Sequence, residues 1–264
     1  MFIDSHCHLS FPELQQRLPD LLREMQQARV EQAICICTQM EEFETVHGLA
    51  LAHEPLWATV GVHPDTEGLR EPDVAELVAL AARPKVVAIG ETGLDYYRLG
   101  ERSLADMEWQ RERFRVHIRA ARQAGKPLVI HTRSASADTL RLLDEEGGEQ
   151  AGGVFHCFTE TAEVAREALA RGFYISFSGI VSFKNAQDLR DLARELPLER
   201  LLIETDSPYL APVPFRGKTN TPALVPHVAR AVAEARGLAV EDLARIAADN
   251  TRRLFGLPVL QEAA

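Results

Sequence analysis

Histidine and carboxylate residues recur at the ends of the apolar runs of this sequence. Five of its nine histidines end such runs or follow them directly: His6, His8, His63, His131 and His156. Glu91 and Asp206 end two further runs. Imidazole and carboxylate groups are common ligands of divalent metals, so their recurrence at equivalent places predicts a metal centre. Each of these histidines taken alone would fit a hydrogen-bonded core position equally well.

The pair His6 and His8 has the spacing of two ligands on one strand. Residues two apart in a strand point the same way, so both imidazoles can face one point while Cys7 faces the opposite side. Asp4 has the same parity and is a candidate hydrogen-bond acceptor for one of these rings. The alternative is a chance pair of buried, hydrogen-bonded histidines.

The two carboxylates that end apolar runs are predicted to act at the metal centre. Glu91 ends Val-Val-Ala-Ile-Gly-Glu, and a buried charge there needs a partner. A pair of bridged cations would be such a partner; a salt bridge to Arg133 or Arg98 is the alternative. Asp206 ends Leu-Leu-Ile-Glu-Thr-Asp and is expected to bind metal and to accept a proton from a metal-activated water. Glu204, of the same parity, is assigned a structural role.

Several other polar and aromatic residues lie beside the same runs. His63, in Val-Gly-Val-His-Pro, is expected either to contact substrate or to anchor its loop. Arg133, Arg216 and Lys218 are candidates for binding an anionic substrate, with plain solvation as the alternative. Three tyrosines fit base stacking and loop packing equally: Tyr96, Tyr97 and Tyr209. The remaining histidines are assigned to surface or packing roles on helices: His47, His53, His117 and His227.

Eight strand-like runs must position these side chains: Met1–His6, Gln32–Thr38, Leu56–His63, Val86–Glu91, Pro127–Thr132, Gly153–Cys157, Phe173–Phe177 and Leu201–Asp206. They are nearly continuous in apolar residues, as strands buried on both faces are. Amphipathic helical segments are predicted between and after them: Pro19–Arg29, Glu41–Glu54, Pro72–Ala82, Ser103–Gly125, Ser136–Glu146, Thr161–Arg171, Asn185–Glu195, Pro222–Arg236 and Val240–Phe255. This alternation predicts an α/β fold, a single (β/α)8 TIM-barrel domain over residues 1–264, with a doubly wound open sheet as the alternative. In a barrel the carboxyl ends of the strands meet on one face, where active sites lie.

Composition sets limits on partners and location. Hydrophobic residues make up 46% and charged residues 26%, the balance of an ordinary globular protein and not of a disordered chain. The net charge of −10 argues against bulk electrostatic adhesion to nucleic acid or to an acidic membrane, so phosphate binding has to be local. With no apolar run near the ~20 residues of a membrane span and no signal-peptide pattern, we expect a cytoplasmic protein without membrane contact. The four cysteines are expected to be reduced core residues, with a metal-binding Cys35–Cys37 pair as a weak alternative.

Motifs spread from the first residues to nearly the last form a joint pattern: Asp4-Ser-His-Cys-His8, Gly61-Val-His-Pro64, Ile89-Gly-Glu-Thr-Gly-Leu-Asp-Tyr96, Pro127-Leu-Val-Ile-His-Thr-Arg133, Gly153-Val-Phe-His-Cys-Phe-Thr159, Leu202-Ile-Glu-Thr-Asp-Ser-Pro-Tyr-Leu-Ala-Pro212, Arg216-Gly-Lys218 and Asn250-Thr-x-x-Leu-Phe255. This pattern resembles the TatD-type metal-dependent deoxyribonucleases, a branch of the amidohydrolase-like TIM barrels. One departure is visible: the family often continues after Gly-Lys with Arg-Asn-Glu-Pro, whereas this chain has Thr219-Asn-Thr-Pro222. Substrate contacts by that loop are therefore not carried over.

The resemblance implies a hydrolase of phosphodiester bonds that uses two divalent cations, Mg, Mn or Zn. The implied metal ligands are His6, His8, Glu91, His131, His156 and Asp206, and His63 is implied to be a substrate-side histidine. Family members are described as 3′–5′ exonucleases on single-stranded DNA or RNA, and some act in DNA repair. We hypothesise that a metal-activated water attacks phosphorus, with Asp206 as general base and Glu91 bridging the cations. We expect a monomer.

Two other functions stay open from the sequence. The same constellation hydrolyses amides, lactones and carboxylic esters in related barrels, and the net charge of −10 leans mildly toward such a substrate. A metal-binding scaffold without turnover is the non-enzymatic alternative.

Overall fold

Eight parallel strands form the frame of the molecule. The computed structural model describes residues 1–65, 67–97 and 99–260. Its strands are β1 (Phe2–Cys7), β2 (Val30–Cys35), β3 (Leu56–Val60), β4 (Val86–Asp95), β5 (Leu128–Arg133), β6 (Gly153–Phe155), β7 (Tyr174–Phe177) and β8 (Leu201–Ile203). They form one sheet in chain order from β1 to β8, which confirms the predicted TIM barrel. A doubly wound sheet would instead reverse its strand order at a switch point.

Helices follow the strands at nearly the predicted positions. The described residues contain α1 (Pro12–Gln15), α2 (Leu18–Gln27), α3 (Phe43–Ala52), α4 (Val74–Ala81), α5 (Glu108–Ala124), α6 (Ser136–Glu146), α7 (Ala162–Ala170), α8 (Gln187–Glu195), α9 (Val225–Arg236) and α10 (Val240–Phe255). The bounds of α6 and α10 are those predicted, and the single-turn helix α1 was not predicted. None of the helices in the described ranges is both long enough and apolar enough to cross a bilayer.

Backbone proximity groups the chain into two compact units, each with its own buried core. The first unit comprises Met1–Cys35, Leu49–Trp57 and the chain from Ser176 onward, and the second comprises Ile36–Gly48 and Ala58–Ile175. Fully buried aliphatic and aromatic side chains fill each: Ile3, Leu21, Ile34, Val228 and Leu243 in the first, Val60, Leu77, Ile89, Phe114 and Ile130 in the second. Burying each such side chain contributes about 1.5–3 kcal/mol to folding.

Seven strands differ from the prediction at their carboxyl ends; β1 and β5 end one residue later, and β2 and β3 end three residues earlier. β6 and β8 stop two and three residues early, and the backbone turns into the left-handed region at Cys157 (φ 42°) and Asp206 (φ 56°). Strand alternation therefore does not extend to Asp206, and parity with Glu204 does not fix the direction of the Asp206 side chain. β4 runs four residues further than predicted, so Glu91 lies inside the strand and not at its end.

One face of α5 fixes the segment that follows β3. The Val62 N–H donates to His117 Nε2 at 3.0 Å, an Arg113 guanidinium nitrogen donates to the His63 carbonyl at 2.7 Å, and Gln110 Nε2 donates to the Pro64 carbonyl at 2.7 Å. His117 Nδ1 lies 2.8 Å from the Arg113 carbonyl, so this nitrogen carries the proton and Nε2 is free to accept. His117 thus has the packing role assigned to it, and it also holds the backbone next to His63.

We predict that His117 makes folding sensitive to acid. Burial lowers the pKa of His117 from 6.5 to about 4, outweighing its hydrogen bond to the Arg113 carbonyl. Between these values the unfolded state binds a proton that the folded state rejects, so stability falls as the pH drops through this interval, by at most about 3 kcal/mol. His117→Gln removes the titration and keeps an acceptor for Val62. Urea unfolding from pH 7 to pH 4 should show the variant losing less stability than the wild type, and parallel curves would contradict the assignment.

Candidate metal centre

A first cluster of candidate ligands is formed by His6, His8 and Asp206. The Nε2 atoms of the two imidazoles lie 3.2 Å apart. Asp206 Oδ1 lies 3.5 Å from His6 Nε2 and 3.3 Å from His8 Nε2. His6 is fully buried and His8 nearly so, whereas the Asp206 side chain is 14% exposed. Three donor atoms therefore converge on one point at the border of the interior.

β1 and the turn after β8 bring the residues of this cluster together. His6 and His8 point the same way while the Cys7 thiol is directed at the Ile34 carbonyl, as the alternation of β1 predicted. The Asp206 N–H donates to the His6 carbonyl at 2.9 Å, and the His8 N–H donates to the Ser207 carbonyl at 2.8 Å. Aspartate is among the few residues that tolerate the left-handed φ of this turn.

Asp4 stabilises the backbone of this cluster and not its rings. Its carboxylate accepts hydrogen bonds from the Thr205 N–H (2.8 Å), the Thr205 hydroxyl (2.5 Å) and the His6 N–H (3.3 Å). The expectation that Asp4 orients an imidazole was therefore wrong. Burial raises the pKa of Asp4 to about 8 in spite of the Thr205 hydrogen bonds.

A second cluster surrounds the buried Glu91 carboxylate. Glu91 Oε1 lies 2.7 Å from His156 Nε2, 3.2 Å from His63 Nε2 and 3.3 Å from His131 Nδ1. Only 3% of the Glu91 side chain is exposed. Three imidazoles from three strand ends thus meet on one carboxylate oxygen. Arg133, one of the two alternative partners for Glu91, directs its guanidinium at the Tyr97 ring, and Arg98 lies outside the described residues.

Two glycines let β4 approach β5 closely at Glu91. A Cβ on Gly93 would lie 2.0 Å from the His131 carbonyl oxygen, and a Cβ on Gly90 would lie 2.6 Å from the Val129 carbonyl oxygen. Both glycines have positive φ values, 132° and 145°, that other residues rarely adopt. The Gly-Glu-Thr-Gly sequence therefore brings Glu91 within reach of His131.

Asp95 belongs to this cluster and was missed in the sequence. Its Oδ2 lies 3.1 Å from His131 Nε2, so it fixes the ring whose Nδ1 faces Glu91. Burial disfavours the charged form, but hydrogen bonds from His131 and from the Tyr97 N–H hold the pKa of Asp95 below its ordinary value. Glu91 and Asp95 share parity on one strand, a signal hidden because β4 was predicted to end at Glu91.

His63 joins the second cluster directly. Its Nε2 faces Glu91, and its Nδ1 lies 2.8 Å from Asp65 Oδ1. Burial opposes the charged form, but the Glu91 and Asp65 carboxylates raise the pKa of His63 to about 10. The imidazole therefore faces the candidate ligands through Nε2, while its Nδ1, next to Asp65, and its backbone carbonyl, next to Arg113, hold the loop.

The three predicted anion-binding residues each lie against an aromatic ring. The Arg133 guanidinium is 3.6 Å from the Tyr97 ring centre, the Arg216 guanidinium is 4.0 Å from that of Phe183, and Lys218 Nζ is 5.7 Å from that of Phe215. Arg216 and Lys218 are exposed to solvent, and Arg133 is half-buried. Cation–π contact orients these charges without neutralising them.

The donor spacing in the clusters fits a divalent cation. Ligands about 2.05 Å from a tetrahedral zinc ion stand about 3.3 Å from each other. The separations in the first cluster are 3.2, 3.3 and 3.5 Å. In the second cluster His63, Glu91 and His131 each offer a ligand atom within 4.8 Å of the other two. Imidazole and carboxylate in these proportions suit zinc, manganese, cobalt or nickel.

Comparison with known proteins assigns the chain to a family. The family model described as TatD related DNase matches residues 3–256. The uncharacterized metal-dependent hydrolase YcfH of Escherichia coli K12 is 47% identical over 257 residues, covering 96% of this chain and 95% of that protein. A Citrobacter rodentium protein named 3′-5′ ssDNA/RNA exonuclease TatD is 37% identical over 226 residues, 83% of this chain and 84% of its own length.

A solved structure agrees in both fold and extent. The crystal structure of YjjV, a TatD homolog from Escherichia coli K12, superposes with a TM-score of 0.88 at 28% identity, covering 97% of this chain and 98% of that one. The ordered sheet, the donor clusters and the sequence match over nearly the whole length point the same way. The chain is a metal-dependent hydrolase that belongs to the TatD-related DNase family.

Proposed function

We propose that this protein hydrolyses phosphodiester bonds in single-stranded DNA, or in RNA, from the 3′ end. The observation that carries the proposal is the convergence of imidazole and carboxylate donors at strand ends, at separations that fit divalent cations. The relative named a 3′-5′ ssDNA/RNA exonuclease supports the substrate class and the polarity. Action as a cytoplasmic monomer, and a part in DNA repair, belong to the same proposal.

Two divalent cations are proposed, with six residues as their ligands: His6, His8, Glu91, His131, His156 and Asp206. In a TIM barrel the carboxyl ends of all strands lead to one face, which supports the assignment of all six residues as ligands. When bound, the cations would supply Lewis acidity, neutralising charge on the phosphate and lowering the pKa of a water. The imidazole donors favour zinc or manganese, and the carboxylates also allow magnesium.

The two carboxylates are suited to different tasks. Glu91 is almost fully buried among imidazoles, so it is proposed to remain an ionised ligand. Asp206 is partly exposed, so its carboxylate is proposed to take the proton of the attacking water and return it to solvent. His63 at the second cluster, with Arg133, Arg216 and Lys218, is proposed to donate hydrogen bonds to phosphate oxygens.

Loss of the proposed general base should abolish strand cleavage. Asp206→Asn keeps the shape of the side chain and removes its basicity, so we expect kcat to fall about 10²–10⁴-fold. The assay uses 5′-labelled single-stranded DNA with Mn²⁺ or Mg²⁺, and 3′–5′ digestion predicts a ladder of progressively shorter labelled products. Asp242→Asn, at an exposed position on α10, is the matched control and should cleave as the wild type does.

Three outcomes would count against the proposal. Wild-type cleavage by Asp206→Asn would remove Asp206 from the mechanism. Hydrolysis of a carboxylic ester or lactone that an excess of oligonucleotide does not inhibit, with no cleavage of DNA or RNA, would favour the amidohydrolase-like alternative. Direct release of the labelled 5′ mononucleotide would reverse the proposed polarity.

Asp95 is proposed to orient His131 for metal binding, which predicts a graded loss of affinity. Asp95→Ala removes the acceptor for His131 Nε2, and metal affinity should fall about 10–100-fold; Asp95→Asn keeps a neutral acceptor and should lose less. Titration calorimetry with Mn²⁺ measures this independently of turnover. Asp144→Asn, an exposed position on α6 that pairs with Arg171, is the control. Unchanged affinity in Asp95→Ala would show that His131 needs no such support.

A further inference from the structure

Aromatic rings continue outward from the first cluster. The His8 imidazole stacks on the Phe11 ring with centres 4.8 Å apart and planes 20° from parallel. Phe11 in turn meets the Tyr209 ring edge-on at 6.2 Å. Phe11 is half-buried, and Tyr209 is 54% exposed. An aromatic surface open to solvent thus begins at a candidate metal ligand.

The backbone holds Tyr209 in a fixed place relative to Asp206. The Tyr209 N–H donates to the Asp206 carbonyl at 3.0 Å. Asn220, which is fully buried, donates from Nδ2 to the Tyr209 carbonyl at 2.6 Å and to the Thr205 carbonyl at 2.9 Å. The exposed ring therefore projects from a tied turn, which lowers the entropy cost of stacking a ligand on it.

An open pocket with positive charge lies next to Tyr209. Its neighbours Pro208 and Leu210 line a pocket of about 420 Å³ whose wall also carries Phe183, Arg216 and Lys218. The Arg216 guanidinium carbon lies 4.0 Å from the centre of the Phe183 ring, and a guanidinium packed against an aromatic ring keeps N–H groups for hydrogen bonding. The pocket combines apolar walls with the two positively charged side chains of Arg216 and Lys218. This combination suits a phosphate joined to an organic group.

The charge of this region is opposite to that of the whole chain. Residues 207–233 contain no Asp or Glu but include Arg216, Lys218 and Arg230, whereas the chain has a net charge of −10. Segment 176–187, which supplies Phe183, adds Lys184 and also lacks acidic residues. Because charges further apart than about 8–10 Å are screened at physiological salt, these basic side chains act on a ligand beside them more strongly than the net charge of the chain does.

We propose that Phe11 and Tyr209 form a stacking platform for a nucleobase of a single strand held at the first cluster, and that the pocket with Arg216 and Lys218 receives a phosphate further along that strand. This inference rests on the proposed nuclease function and adds a requirement for a base beside the reacting phosphate. Aromatic stacking tolerates any base, so the platform selects single-stranded nucleic acid without selecting its sequence. A small ester would use neither the platform nor the pocket.

Comparison with an abasic oligonucleotide measures the contribution of base stacking to binding, because this substrate keeps the phosphates and lacks the bases. Tyr209→Leu should raise KM for a base-bearing oligonucleotide about 5- to 100-fold relative to KM for an abasic oligonucleotide of equal length. Tyr209→Phe keeps the ring and should restore the wild-type ratio. Leu51→Ala, at an exposed apolar position on α3, is the control. Arg216→Gln with Lys218→Gln should instead raise KM for both substrates and flatten its dependence on salt.

The outcomes separate this inference from the function on which it rests. If cleavage depends on Asp206 but the KM ratio is unchanged in Tyr209→Leu, the platform is wrong and the nuclease proposal stands. If Tyr209→Phe fails to restore the ratio, the hydroxyl and not the ring contacts the strand, which also overturns stacking. If cleavage does not depend on Asp206, the nuclease proposal fails first.

Discussion

The buried Glu91 carboxylate is the constraint around which the second unit is organised. An ionised carboxylate removed from water is costly unless positive or hydrogen-donating groups surround it, and here three imidazoles meet one of its oxygens. Each neighbouring feature serves this arrangement. Gly90 and Gly93 allow β4 to approach β5, and Asp95 holds the far side of the His131 ring. A group of donors this concentrated has little value for folding alone, because apolar residues of similar volume would pack without the desolvation cost.

In the first unit, the candidate ligands come from distant parts of the chain and must be brought together by contacts between these segments. His6 and His8 lie near the start of the sequence, while Asp206 follows the last strand, and backbone hydrogen bonds join the two segments. The fully buried Asp4 strengthens this junction through Thr205. Asp206 itself sits in a turn with left-handed φ, outside the regular strand and partly exposed. Regular structure thus fixes the imidazoles, and a tied turn leaves the carboxylate accessible to water.

Most of the strands and of the candidate ligands could be predicted from the sequence, because buried parallel strands are recognisable as apolar runs. The eight strands, their order and the shared face of His6 and His8 all follow from that pattern. The predictions that failed concern side chains whose position depends on how strands end and on their hydrogen-bond partners. Strand parity could not place Asp206, because its backbone leaves the extended region. Asp95 was missed because β4 was predicted to end at Glu91. The continuation of β4 depends on a close approach to β5 at two glycines, and this contact with another strand cannot be read from the local sequence.

The net charge of −10 is compatible with the proposed polyanionic substrate, because screening limits the range over which charges act. Electrostatic attraction over the whole surface would speed association and add sequence-independent affinity, and an acidic protein gives up both. Within a Debye length, however, the local charges dominate, and residues 207–233 provide only positive ones. A protein with this charge distribution is suited to the proposed binding of a single strand at its end, where a few basic side chains act, and would gain little affinity from the rest of the strand. Recognition by stacking and local phosphate contacts suits this balance, because stacking on an aromatic ring requires no long-range field.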